Sequence, residues 1–111
     1  MEIIFNLFGN CDTLLKTFLL FIIIDYITGI LKAIYNKKLN SSIGAKGIVK
    51  KIGYILLVMV SYALDNLNND GLVIRDIVLY MFIINEGISI LENLSKVGIV
   101  VPKAIKDILH K

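Results

Sequence analysis

Asp25 constrains this chain more than any other residue. It stands in the run Thr17-Phe18-Leu19-Leu20-Phe21-Ile22-Ile23-Ile24-Asp25-Tyr26-Ile27-Thr28-Gly29-Ile30-Leu31, apolar enough to prefer lipid yet carrying a carboxylate near its middle. A charge at bilayer depth costs at least about 2.5 kcal/mol, so it is kept where it pairs with a partner or performs a task. Hydrophobic residues fill 57% of the 111 positions. A soluble chain of this length has too little interior to hide that share. A membrane protein accommodates it; the alternative is a soluble helical bundle that oligomerises.

No segment offers 18 uninterrupted apolar residues, the ordinary mark of a span. Each candidate helix is punctured or closely flanked by charge. That pattern suits helices that cover polar faces against one another, within or between copies. The expected architecture is one all-α membrane domain over residues 1–111, with three transmembrane helices, a short C-terminal amphipathic helix and an oligomeric state. Residues Met1 to Asn10 form an apolar arm. Asp12 or Thr13 can cap the first span, about residues 14–36. Ser41-Ser42 can cap the second, about residues 43–66. Its charge-free part, residues 52–64, covers only about 20 Å, so the turns near Lys46, Lys50 and Lys51 sit partly in the membrane and snorkel toward water. Asn66-Leu67-Asn68-Asn69-Asp70-Gly71 forms a turn. The third span covers about residues 72–95, and Gly98 stops it. Pro102 suits the first turn of a last helix, about residues 102–109. Ala104, Ile105, Ile108 and Leu109 lie on one side of that helix and Lys103, Lys106 and Asp107 on the other, as in a helix on a membrane surface.

Lysine placement sets the orientation. Lys32, Lys37, Lys38, Lys46, Lys50 and Lys51 surround the first connection, and Lys96, Lys103, Lys106 and Lys111 follow the third span. Positive segments remain cytoplasmic. Three spans then place the N-terminus outside and the C-terminus in the cytoplasm. The outer end carries Asp65, Arg75 and Asp76, with Asp70 in the turn.

Asp25, Thr28, Gly29, Lys32 and Asn36 fall at helical spacing and line one face of the first span. Gly29 and Ala33 form a small-xxx-small pair that permits close helix approach. Gly47, Lys51, Tyr54, Val58, Ser61 and Asp65 share a face on the second span, and Glu86, Ser89, Ile90 and Asn93 on the third. Asp25 and Glu86 each lie about 15 Å from the cytoplasmic end of their helix, and Lys50 and Lys51 lie at a similar depth. The expected result is an intramembrane charge network and oligomer interface. It joins Asp25, Glu86 and one or more of Lys32, Lys50 and Lys51, with Thr28 and Gly29 beside them.

The chain offers no catalytic set. His110 is the single histidine and reads as a solvated tail residue. Cys11 is alone and supports neither an intrachain disulfide nor a cysteine metal cluster. Gly44-Ala45-Lys46-Gly47 lacks the spacing and ending of a phosphate-binding loop. No enzyme, metal or cofactor is expected. The lysines flank membrane segments and lack the aromatic interleaving of a nucleic-acid surface. The acidic, apolar N-terminus does not resemble a cleaved signal peptide.

The stretch from Asp25 to Leu109 resembles the phage lysis and clostridial toxin-secretion holins. The resemblance rests on Asp25-Tyr26-Ile27-Thr28-Gly29 with Lys32, then Asn40-Ser41-Ser42-Ile43-Gly44-Ala45-Lys46-Gly47 with Lys50-Lys51, and Asp65. It continues in Asn85-Glu86-Gly87-Ile88-Ser89-Ile90-Leu91-Glu92-Asn93, Gly98 and Pro102-Lys103. Many relatives carry a further proline two residues before Pro102, where this chain has Val100. The resemblance implies a protein that gathers in the bacterial cytoplasmic membrane, associates with itself and opens lesions. A cell-wall hydrolase or a large toxin without a signal peptide then crosses. The rival readings are a holin inhibitor and a small selective transporter with an intramembrane acidic coupling site. Neither an inverted repeat nor a broken-helix pair supports the transporter.

Overall fold

The computed structural model describes residues 2–37 and 41–109, apart from the side chains of residues 41–43. The Ser41-Ser42 cap, Lys38, His110 and Lys111 therefore lie outside what is described. The described residues form five helices and no strands: α1 (Glu2–Phe8), α2 (Thr13–Tyr35), α3 (Ser41–Asn68), α4 (Val73–Lys96) and α5 (Lys103–Leu109).

The boundaries follow from local chemistry. The apolar arm is helical as α1 and ends at Gly9, whose φ of +82° favours glycine. A Cβ there would also come within 2.9 Å of the Tyr62 ring. Asp12 caps α2, its Oδ1 accepting from the Leu15 amide at 3.0 Å. Asn69 and Gly71, both left-handed, turn the chain from α3 into α4. Leu72 precedes α4 without a side-chain cap. The Asp65 carboxylate supplies it from α3, accepting from the Ile74 and Arg75 amides at 2.9 and 2.8 Å. Gly98 ends α4 in a Schellman motif: its amide donates to Ser95 O and the Ile99 amide to Leu94 O. Pro102 sits one place earlier than the first turn of α5. Its carbonyl accepts from the Ile105 and Lys106 amides, the work of a residue just outside a helix.

α4 lies between α2 and α3. It runs parallel to α2, because Asp12 meets Arg75 at one end while Asn93 meets Asp25 and Thr28 farther along. It runs antiparallel to α3, because Asp65 meets the start of α4 while Lys51 meets Glu86. Between these contacts lies a dry core of Leu15 and Phe18 from α2, Val58 from α3, and Leu79 and Phe82 from α4. Phe82 stacks on Tyr54 with ring centroids 4.1 Å apart and on Phe18 at 5.9 Å. α5 turns back along α4. Leu109 fills the space over Gly87, where a Cβ would meet its side chain at 2.9 Å and Phe21 at 3.3 Å.

Burial differs from that of a water-soluble bundle in its large polar share and in the bare apolar surface. Thr28, Ser61, Asp65, Arg75, Glu86 and Asn93 are buried, while rows of large apolar residues face outward. On α2 the row is Leu20, Ile23, Ile27, Leu31 and Ile34; on α3 it is Val49, Ile52, Leu56, Val60 and Leu64. Contiguous exposed apolar faces of this size require a partner surface. Two helices, Thr13–Tyr35 and Gly44–Asn68, are long and apolar enough to cross a bilayer.

Candidate functional site

Two polar layers hold the three long helices together. The first lies midway along them. Lys51 on α3 reaches between the other two helices, its Nζ 2.6 Å from Asp25 Oδ2 and 3.1 Å from Glu86 Oε2. All three side chains are almost enclosed, none more than 13% exposed. One ammonium thus serves two carboxylates. Asn93, two turns beyond Glu86, donates from Nδ2 to Asp25 Oδ1 at 3.2 Å and to Thr28 Oγ1 at 3.0 Å. The Thr28 hydroxyl donates in turn to the Ile24 carbonyl at 2.8 Å, within α2. Gly29 lies beside this clamp: a Cβ there would meet Asn93 Nδ2 at 3.8 Å, an ordinary contact. Every buried side-chain nitrogen and oxygen among the described residues has a hydrogen-bond partner. An unpaired polar group in hydrocarbon costs several kcal/mol.

Other expected members of this layer stand apart. Lys50 is exposed, with its Nζ 5.8 Å from the Tyr54 ring centroid. Lys32 lies in the last turn of α2, where a cation suits the helix dipole. It makes no ion pair among the described residues. Residues 50 and 51 differ by about 100° around a helix, so only one of them can face the seam.

The second layer sits at the start of α2 and α4, about 17–21 Å from the first along the helices. Arg75 is completely buried. Its Nε donates to Phe8 O at 2.9 Å, and Nη2 donates to Asn10 O at 2.7 Å. A fork to Asp12 at 2.9 and 3.1 Å and a bond to Asp76 at 2.9 Å complete the set. These contacts occupy all five donors of a guanidinium. Asp65, Arg75 and Asp76 therefore meet at one end, and the division of labour is specific. Asp76 pairs with Arg75, while Asp65 takes backbone amides of α4. Asp12 is the member that sequence reasoning left out, having read it only as a helix cap. It does both: Oδ1 accepts from Leu15 and from Arg75. Hydrogen bonding to the Arg75 guanidinium holds its carboxyl below the ordinary 3.8. The available signal was that Arg75 is the single arginine among eleven lysines, at a position where a planar multi-donor fork is needed.

Neither layer has the form of a catalytic centre. Each carries charge that is partnered between helices.

A sequence profile described as the bacteriophage holin family matches residues 2–111. A protein from Clostridium perfringens, named as an uncharacterized 14.9 kDa protein in the nagH 3′ region, is 41% identical over 106 residues, covering 95% of this chain and 80% of its own. An uncharacterized protein of Listeria monocytogenes is 40% identical over 103 residues, covering 93% and 74%. A probable holin of Bacillus phage phi105 is 40% identical over 88 residues, covering 79% and 65%. No solved structure matches. With two span-length apolar helices that point with these matches to the cytoplasmic membrane, the chain belongs to the bacteriophage holin family.

Proposed function

We propose that this chain is a holin that accumulates in the bacterial cytoplasmic membrane, associates with copies of itself and opens lesions through which a cell-wall hydrolase or a signal-less toxin leaves. It makes and breaks no covalent bonds. The burial pattern carries this reading: charge is gathered along an internal seam while rows of large apolar residues face outward. Three helices cross the membrane. The antiparallel register of α4 on α3, from Asp65–Arg75 to Lys51–Glu86, supports the third span. The lysines around the α2–α3 connection and after α4 keep those ends cytoplasmic, which places the N-terminus outside.

Asp25, Lys51 and Glu86, supported by Thr28 and Gly29, set the balance between a closed copy and an assembled one. In the closed copy the seam is satisfied internally. In an assembly the same groups face water or one another across copies. Lys32 anchors the cytoplasmic end of α2, and Lys50, at the depth of Lys51, snorkels its ammonium toward the same surface. Asp65, Arg75 and Asp76 lock the outer ends and do not take part in opening.

The test is expression in bacteria with and without a peptidoglycan hydrolase that lacks a signal peptide. Abrupt growth arrest with hydrolase-dependent lysis is expected. Selective solute efflux without arrest would mark a transporter. Silence alone combined with delay of another holin's lysis would mark an inhibitor.

A further inference from the structure

The side of α4 turned away from the ionic seam has a separate organisation. Val73, Ile77, Tyr80 and Ile84 are exposed and follow one another at steps of three or four residues. Ile88 and Leu91 continue the row. It then ends abruptly in Glu92, Ser95 and Lys96, and α5 brings Lys106 alongside. These last residues, with Ile88 and Leu91, line an open groove of about 490 Å³ between α4 and α5. Ion pairs among the described residues join neither lysine to Glu92. Among the described residues neither lysine makes an ion pair, so the groove offers two cations, a carboxylate and a hydroxyl at the foot of an apolar track. From Ile77 to Leu91 that track is about 21 Å long, comparable with an extended acyl chain of a phospholipid.

We propose that this groove binds one anionic phospholipid of the hydroxylated, phosphatidylglycerol type. Its phosphate sits between Lys96 and Lys106, its headgroup hydroxyls donate to Glu92 and accept from Ser95, and an acyl chain lies along Leu91, Ile88 and Ile84. The charge pattern selects this occupant. Two ammonium groups match a phosphate, the single carboxylate disfavours a second anionic group, and a neutral hydroxylated headgroup satisfies both. The continuous apolar row distinguishes a lipid from a soluble phosphate ester, which would leave that row uncovered. The site rests on the proposed orientation, because only there does this end of α4 reach the cytoplasmic headgroup layer.

The full chain, purified in mild detergent, is offered phosphatidylglycerol or phosphatidylcholine with identical acyl chains, and retained lipid is counted by native mass spectrometry. Phosphatidylglycerol should be retained on the order of tenfold better, as expected for two lysines acting near a phosphate. Lys96→Gln with Lys106→Gln should abolish that preference. Lys96→Arg with Lys106→Arg should keep it, as should Lys37→Gln at an exposed lysine elsewhere. If the double glutamine variant does not fold, Lys106→Gln alone, on the exposed α5, should reduce the preference. Equal retention of the two lipids overturns the proposal. So does an undiminished preference in the folded glutamine variants, or displacement of the lipid by free glycerol phosphate at equal concentration. Hydrolase-dependent lysis is scored separately. Lysis without lipid preference removes this site alone, whereas lipid preference without lysis removes the holin reading and leaves the site standing.

Discussion

Lys51 holds two carboxylates with one ammonium, so its removal leaves both without a counter-charge in a low-dielectric seam. Breaking a buried ionic set by deleting one member costs about 3–5 kcal/mol, whereas replacing the whole set by apolar residues is often neutral. Lys51→Met should therefore lower the amount of folded protein in membranes sharply. The triple variant Lys51→Met, Asp25→Leu, Glu86→Leu should recover that amount yet fail to release a co-expressed hydrolase. Immunoblots of membrane fractions and lysis curves on the same cultures check both outcomes. A triple variant that lyses normally would reduce the seam to a packing device. At the other layer, the folded value of Asp12 lies below 3.8. Its bond to Arg75 therefore contributes fully above about pH 4, the unfolded value, and is lost as pH falls through the folded one. The melting temperature of detergent-solubilised protein should fall below about pH 4 by this route. Asp12→Asn, which cannot titrate, should start lower at pH 7 and lose less on acidification.

At the scale of the element, α4 depends on a cap that its own sequence does not provide. Asp65 takes two of its first amides from α3. Asp65→Ala should destabilise the protein by about 1–2 kcal/mol, seen as faster hydrogen exchange at the start of α4 while the end near Gly98 keeps its protection. The same contact explains why parts of the fold were legible in the sequence and parts were not. Asp12, Asn69 through Gly71, and Gly98 are local signals, and the helix ends fall close to them. α3 reaches Asn68, beyond the expected residue 66, which keeps Asp65 within a regular turn facing α4. The arm before Gly9 forms α1, and its period was there to read: Ile4 and Phe8, four apart, both pack against the core. The choice of Lys51 over Lys50 and Lys32 depends on how α3 is rotated against its neighbours, which spacing within one helix cannot supply. The pairing of Asp12 with Arg75, 63 positions apart, is likewise a product of the parallel packing of α2 and α4. Asn93 was visible on the Glu86 face, but its role as a donor to Asp25 and Thr28 needed the third dimension.

For the whole molecule, the exposed rows of isoleucine, leucine and valine are the largest unbalanced feature, and lipid or other copies must cover them. If assembly rather than a single copy opens the membrane, release should rise more steeply than in proportion to the amount of protein. An inducer titration with simultaneous quantification of membrane protein measures that exponent. An exponent of one would exclude assembly. The stacked rings of Tyr54, Phe82 and Phe18 sit between the two polar layers, and they bear on where leakage can begin. They narrow the way through one copy: between the two ionic layers the interior is mostly ring and aliphatic surface, interrupted by the Tyr54 and Ser61 hydroxyls. In the proposed assembly, a conduit would then run along the borders where neighbours abut.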